Sequence, residues 1–370
     1  MSNDVQMGRR NARSEWRTSH QSAYRLTAHC MPLGFAQLQD RFRATIIGFA
    51  VGDALGFPLR GLPATTLSRQ QALVQDFAPR PRGGFLKGQF SDDTQLMMAT
   101  AHAIAREERV DGRTIAEHLS WLWQDGTILQ PPPSVGRSME RFLQGVPWMA
   151  AGASIGVRDA SCLSRGVVVG LWSEASPPRL SHDAQLVTVV THKDPLCAAA
   201  VAAYARAIQL SVSGEIQTPQ SFCDAVSAAA APSSPELADE LYYLPRVLNW
   251  EPLRALDALR RVGVPPSQLE METGLPSHVT PVLLTAFFAV IKEQFDFRAA
   301  MSLALRVGGE VDVLSGLIAS LVGGRSGLDA IPARLRKNVM YAEALTAAAD
   351  ALFDARVTRS KVVTQATLKR

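Results

Sequence analysis

An all-α fold is what the sequence predicts, and three observations predict it. About ten long segments carry apolar residues at helical spacing. The one β-branched run, Arg165 to Leu171, finds no partner run of similar type and is assigned to helix or coil. No repeat of fixed period is visible, which argues against a solenoid. With 370 residues, 47% of them apolar and 19% charged, the chain has ample core for a globular protein.

Residues 1–34 hold Arg9, Arg10, Arg13, Arg17 and Arg25 against Asp4 and Glu15, a net +3 of the chain's +4. They read as a poorly ordered basic arm, a candidate contact for a protein partner, with no specific nucleic-acid signature. Met1 to Arg17 lacks an apolar core after its positive charges, so no secretory leader is expected. No run of about eighteen apolar residues suggests a membrane span. Cys30, Cys162, Cys197 and Cys223 show no metal spacing, and three of them fit buried thiols in a reducing compartment. The cytoplasm is therefore expected, and a bacterial effector secreted without a cleavable signal would have the same profile.

From Phe35, a helix places Leu38, Phe42, Ile46 and Phe49 on one stripe. It runs into Gly48 to Gly56, where small residues allow close packing and suggest an early stop. Asp53, between Gly52 and Gly56, is open between a turn-former and a carboxylate standing behind a ligand. Helices follow over Leu96–Ala105, Ile115–Gln124 and Ser134–Leu143, the last entered after Pro131-Pro132-Pro133 and ended by Gly145. Ala150 to Ser164 reads as a loop. Asp194-Pro195, a cap followed by a proline at the first helical position, launches Leu196 to Leu210. Ala228 to Pro235 reads as a surface loop. Val279–Gln294, Arg298–Val307 and Asn338–Phe353 complete a helical domain over 35–355, leaving 356–370 as a frayed basic tail.

Two acidic helix starts carry the chemistry. Gly88-Gln89-Phe90-Ser91-Asp92-Asp93-Thr94 precedes a long apolar helix, and Gly308-Gly309-Glu310-Val311-Asp312-Val313 precedes another. Taken singly, each suits a helix N-terminus, where a short hydroxyl or carboxylate caps and negative charge meets the dipole. Taken together, they are what an oxygen-rich Mg²⁺ site is built from. His192 reads as structural, Arg165 as either a carboxylate anchor or a phosphate contact, and Trp121, Trp123 and Trp148 as core aromatics or an adenine-stacking ring.

Six islands in order resemble the ADP-ribosylglycohydrolase family over about residues 40–340. They are Gly52-Asp53-Ala54-Leu55-Gly56-Phe57-Pro58, Gly88 through Met97, Pro133 to Ser138 with Leu143 to Gly145, Ser161 to Arg165, Thr191 to Pro195, and Gly308 to Val313 with Ile331-Pro332. The resemblance implies an orthogonal multi-helix bundle with a two-magnesium cleft, Ser91, Asp92 and Asp93 facing Glu310 and Asp312 as the metal-holding set. It implies a hydrolase that cleaves the glycosidic bond between ADP-ribose and a modified protein side chain or small conjugate. Mg²⁺ would assist, and Asp92 or Asp93 would position the water. Asp53 and the backbone at Gly83, Gly84, Gly136, Arg137, Ser138, Gly152, Ser154 and Gly309 are the expected ligand-binding positions.

The sequence departs from the family pattern at Ala160-Ser161, which stands for Asn-Gly, and most densely at the two acidic motifs. Arg60 stands where relatives carry Glu, Glu310 replaces the first Asp of the last motif, and Val311 and Val313 replace threonines. Val313 offers no ligand oxygen, so at least one of two Mg²⁺ positions is expected to be weakened, and Arg60 is the candidate substitute for a cation's charge. The departures leave a second expectation, a catalytically impaired relative of immunity or effector type. Such a protein would bind ADP-ribose or a protein partner through the cleft or the arm.

Overall fold

The computed structural model describes residues 33–67, 74–77, 84–173, 176–216, 218–271 and 274–368. Residues 1–32 of the basic arm, Cys30 among them, and Gly83 lie outside these. Numbering helices of eight residues or more, the chain builds α1 (Phe35–Gly56), α2 (Asp92–Glu107), α3 (Gly112–Gln124), α4 (Pro133–Leu143), α5 (Ser164–Trp172), α6 (Pro177–Val189) and α7 (Pro195–Ser213). It continues through α8 (Pro219–Ala230), α9 (Pro235–Tyr243), α10 (Pro252–Leu259), α11 (Val279–Lys292), α12 (Phe297–Leu305), α13 (Val311–Ser326) and α14 (Ala342–Leu368). Among the described residues the only β pairing is three isolated bridges, so the all-α expectation holds.

The α1–α13 pair forms the spine. Gly48, Gly52 and Gly56 recur every fourth residue on α1 and face the α13 backbone. A Cβ at Gly48 would lie 2.6 Å from Ala319 O, and Cβ atoms at Gly52 and Gly56 would overlap Ser315 O and Val311 O. The glycines expected to stop α1 early instead let it run on to Gly56 in backbone contact with its partner, because contact made along a whole helix face outweighs low intrinsic propensity.

α1 and α7 are long and apolar enough to cross a membrane by length and composition, with mean hydropathy of 1.3 and 1.4 in spans Phe35–Leu59 and Pro195–Ser213. In both, 89% of the apolar window is buried inside the protein, which identifies them as central core helices. Arg165–Leu171 lies within α5, where every residue is buried. Contact on all sides overrides the β preference of Val167, Val168 and Val169.

The cap-plus-proline start of α7 recurs. Thr218, Ser234 and Glu251 precede Pro219, Pro235 and Pro252, and their side chains accept from Ser221 N, Leu237 N and Arg254 N. The loop expected at 228–235 is confined to 231–234, between the end of α8 and the start of α9. Trp148–Ala151 is a short helical turn that overlaps the start of the expected 150–164 loop, and Ala160–Cys162 is another inside it. α14 continues past Phe353 to Leu368, where a frayed tail was expected.

Candidate active site

A short strap of backbone sets the geometry. Gly308 and Gly309 adopt φ of +70° and +73°, and a Cβ on Gly308 would lie 2.5 Å from Leu62 O. Gly61 N donates to Gly309 O (2.9 Å), Gly309 N to Leu62 O (3.0 Å), Leu275 N to Gly308 O (3.0 Å) and Glu310 N to Leu275 O (3.0 Å). The segment leaving α1 is thereby fastened to the start of α13, which delivers Arg60 to the face carrying Asp312.

The start of α2 is fastened to α1 by Asp53. This carboxylate is fully buried and accepts from Ser91 N (3.0 and 3.1 Å), Thr94 N (3.2 Å) and Thr94 Oγ1 (2.5 Å). Ser91 is the N-cap of α2, and its Oγ accepts from Asp93 N at 3.2 Å. Asp53 therefore holds the first turn of α2, from which Asp92 and Asp93 project. Burial, then the nearby Asp312, pushes the Asp53 carboxyl up to about 7.

The Arg60 guanidinium joins the two helix starts. Its Nη1 donates to Asp312 Oδ2 at 3.0 Å and lies 3.6 Å from Asp92 Oδ1. Its Nη2 donates to Gln130 Oε1 (2.8 Å), and the group sits 5.2 Å above the Phe57 ring. Gln130 has a left-handed φ of +52° and ends a loop tied to α2, for Gln95 Nε2 donates to Thr127 O (2.8 Å) and Leu129 N donates to Gln95 Oε1 (2.8 Å).

Around this cation the carboxylates are crowded and dry. Asp92, Asp93 and Asp312 are 1%, 4% and 0% exposed. Asp92 Oδ1 and Oδ2, Asp93 Oδ1 and Asp312 Oδ1 have no hydrogen-bond donor among the described residues. All three carboxyls are held above their ordinary range, chiefly by burial. Arg60 opposes the rise at Asp92 and Asp312, whereas the neighbours that act on Asp93 after burial, namely Asp92, Asp312, Asp53 and Glu310, all reinforce it. The same carboxylates raise Arg60 further against the cost of its own burial.

A second buried cluster is assembled from two segments, 156–165 and 191–194, which include the Ser161 to Arg165 and Thr191 to Pro195 motifs. Arg165 is fully buried and donates from Nη2 to Thr191 Oγ1 at 2.6 Å. His192, also buried, hydrogen-bonds through Nε2 to Asp159 Oδ2 (3.0 Å), and Ser161 Oγ donates to Asp159 Oδ1 (2.6 Å). His192 is thus held between Thr191 Oγ1 (2.9 Å from Nδ1) and Asp159. Asp194 ties Arg158 Nε (2.9 Å) and Gly156 N (2.8 Å) to the start of α7.

Several expected ligand-binding positions are used for packing instead. Gly136 lies inside α4 with its N–H bonded to Pro132 O, and a Cβ there would lie 2.7 Å from the Trp123 ring. Gly152 packs on the 189–192 backbone, and the Gly309 N–H is committed to Leu62 O. Ser138 Oγ lies 2.6 Å from Ser134 O and 3.2 Å from Thr191 O. Arg137, Ser154 and Gly84 are exposed. Trp123 and Trp148 pack on the core, while Trp121 is 72% exposed.

The donors do not fit a pair of Mg²⁺ ions as arranged. Among the described residues no three of His, Cys, Asp and Glu converge as metal ligands. Val313 presents only carbon, and the Arg60 guanidinium lies against the carboxylates of Asp92 and Asp312 that would ligate.

The sequence profile described as ADP-ribosylglycohydrolase matches residues 35–361. An uncharacterized protein of Archaeoglobus fulgidus is 25% identical over 317 residues, covering 86% of this chain and 97% of its own length. The ADP-ribosyl-[dinitrogen reductase] glycohydrolase of Rhodospirillum rubrum is 23% identical over 304 residues, covering 80% of this chain and 88% of its own. A solved structure described as an ADP-ribosylglycohydrolase-related protein complex superposes with a TM-score of 0.66 at 22% identity. It covers 87% of this chain and 99% of that one, a likeness that speaks to the fold.

Proposed function

The chain belongs to the ADP-ribosylglycohydrolase family, and from that premise we propose that it hydrolyses the glycosidic bond joining ADP-ribose to a protein side chain or small conjugate. The observation that carries this reading is the set of buried carboxylate oxygens at the starts of α2 and α13 that lack donors. Buried acceptors without partners are costly, and a ligand rich in hydroxyl donors relieves that cost. A ribose ring with an adjacent water is such a ligand.

The two carboxyls of α2 divide the work. Asp92 is the one whose negative charge Arg60 favours, so it serves as the base that takes a proton from the attacking water. Asp93 is surrounded by acidic groups that favour its protonated form, so it donates a hydrogen bond to a ribose hydroxyl or a proton to the leaving atom. The clustered negative charge also suits the oxocarbenium character that builds at the anomeric carbon as the bond breaks. Asp53 holds the backbone of α2 so that both carboxyls stay aimed at one point.

The test is release of free ADP-ribose from a mono-ADP-ribosylated protein, with Asp92→Asn and Asp93→Asn as controls. Release that falls by about 10²-fold or more in either variant supports the assignment. Binding of ADP-ribose without release, across several linkage types, would favour the impaired-relative reading instead.

A further inference from the structure

We infer that the Arg60 guanidinium is a built-in counter-cation that joins the two acidic helix starts and occupies the place of a divalent metal between Asp92 and Asp312. The inference deepens the hydrolase reading and takes from it only the location of the cleft.

Three features carry it. One guanidinium nitrogen, Nη1, reaches both helix starts, at 3.0 Å from Asp312 Oδ2 and 3.6 Å from Asp92 Oδ1. These acidic groups are 1% exposed or less, so their charge is not screened by water and needs a fixed partner. The guanidinium is itself held on three sides, by the carboxylates, by Gln130 Oε1 at 2.8 Å, and by the Phe57 ring 5.2 Å below it. A side chain swinging in from solvent would have none of this support. Here the strap at Gly61–Leu62 fixes its backbone, and the Gln95-anchored loop fixes its far end.

A guanidinium and a Mg²⁺ ion cannot share these oxygens. Mg²⁺ demands near-octahedral oxygen ligands at about 2.0–2.1 Å and would face a permanent positive charge in direct contact with the same carboxylates. Arginine keeps its charge at every working pH, so the arrangement is independent of metal supply. Removing that charge leaves Asp92 and Asp312 facing each other across a dry gap, which creates the demand for a divalent cation that Arg60 otherwise meets.

The test uses the full chain as wild type, Arg60→Gln, Arg60→Lys and Arg60→Gln/Asp312→Asn, with thermal midpoints in millimolar MgCl₂ and in EDTA and a calorimetric Mg²⁺ titration of each. The wild type is expected to melt at the same temperature in both buffers and to show no saturable heat. Arg60→Gln is expected to melt lower in EDTA and to recover by a few degrees with Mg²⁺, a rescue that the added Asp312→Asn abolishes. Arg60→Lys, which keeps the charge but not the fork, is expected to remain insensitive to Mg²⁺. Saturable stabilisation of the wild type by Mg²⁺ would overturn the inference, as would an Arg60→Gln protein with unchanged stability and no response to metal. If Arg60→Gln fails to fold, the wild type and Arg60→Lys decide: saturable Mg²⁺ binding by either overturns the inference, and none in both supports it. No arm reads ADP-ribose release, so a failed metal prediction leaves the hydrolase reading standing, and the reverse also holds.

Discussion

Replacing Asp53 by Asn isolates the energetic tension built into the site. In the folded protein the Asp53 carboxyl titrates at about 7, against an ordinary value of about 3.9 in the unfolded chain. A group whose folded value is raised contributes stability below its unfolded value, and that stability is lost as pH rises through the folded value. The window therefore runs from about pH 4 to just above pH 7. Applied to Asp53 alone, linkage gives a loss of about 2.5 kcal/mol between about pH 5 and about pH 8. Full burial removes any discount for solvent screening of this group. Asn keeps one acceptor oxygen for the Ser91 and Thr94 donors but cannot ionise. Urea unfolding of both proteins at the two pH values measures the difference. The Asn variant is expected to be less stable than wild type at the acidic value, where its amide meets backbone N–H groups. That deficit should shrink or invert at the alkaline value by about 2–3 kcal/mol. Parallel pH profiles for the two proteins would refute the reasoning, because they would mean that Asp53 is ionised across the whole range in the folded state.

Other substitutions probe the supports. Gly52→Ala drives a methyl into Ser315 O, a backbone atom that cannot rotate away, and should cost about 3 kcal/mol or more in chemical denaturation while also lowering ADP-ribose release. A cost under about 1 kcal/mol would mean that α1 and α13 separate easily. Asp159→Ala leaves His192 Nε2 and Ser161 Oγ without their acceptor and should cost about 2–4 kcal/mol at neutral pH. Burial opposes ionisation of Asp159, but the interactions with His192, Ser161 and Ser134 together outweigh it and hold the carboxyl well below its usual range. Its stabilisation is therefore lost as pH falls below about 4, and the variant should show a flatter acid limb than wild type.

What was legible in the sequence was local. Ser91 and Asp194 cap the helices they immediately precede, each accepting from a backbone N–H two residues on. Gly48, Gly52 and Gly56 were visible as small residues, but their meaning depends on Ala319, Ser315 and Val311, more than two hundred residues away. Intrinsic propensity alone reads such a run as a stop. The two acidic helix starts were legible because charge beside a cap is conspicuous, and Arg60 stood out because the resembled family carries Glu at that position. Gln130, which holds Arg60, and Asp159, which holds His192, were not legible, because neither belongs to a pattern within its own segment. At Gly136 and Gly309, both expected as ligand-binding positions, the surroundings are equally non-local. Glycine advertises an accessible backbone, yet these N–H groups are bonded to Pro132 O and Leu62 O.

The most direct test of the account is the amount of free ADP-ribose released from a mono-ADP-ribosylated protein by wild type, Asp92→Asn and Asp93→Asn at matched folded concentration. Release by the wild type that falls about 10²-fold or more in both variants, with their melting temperatures preserved or raised, is the expected result, since each substitution removes a buried acid. Release that persists undiminished in both variants would contradict the claim that the carboxyls at the start of α2 perform the hydrolysis.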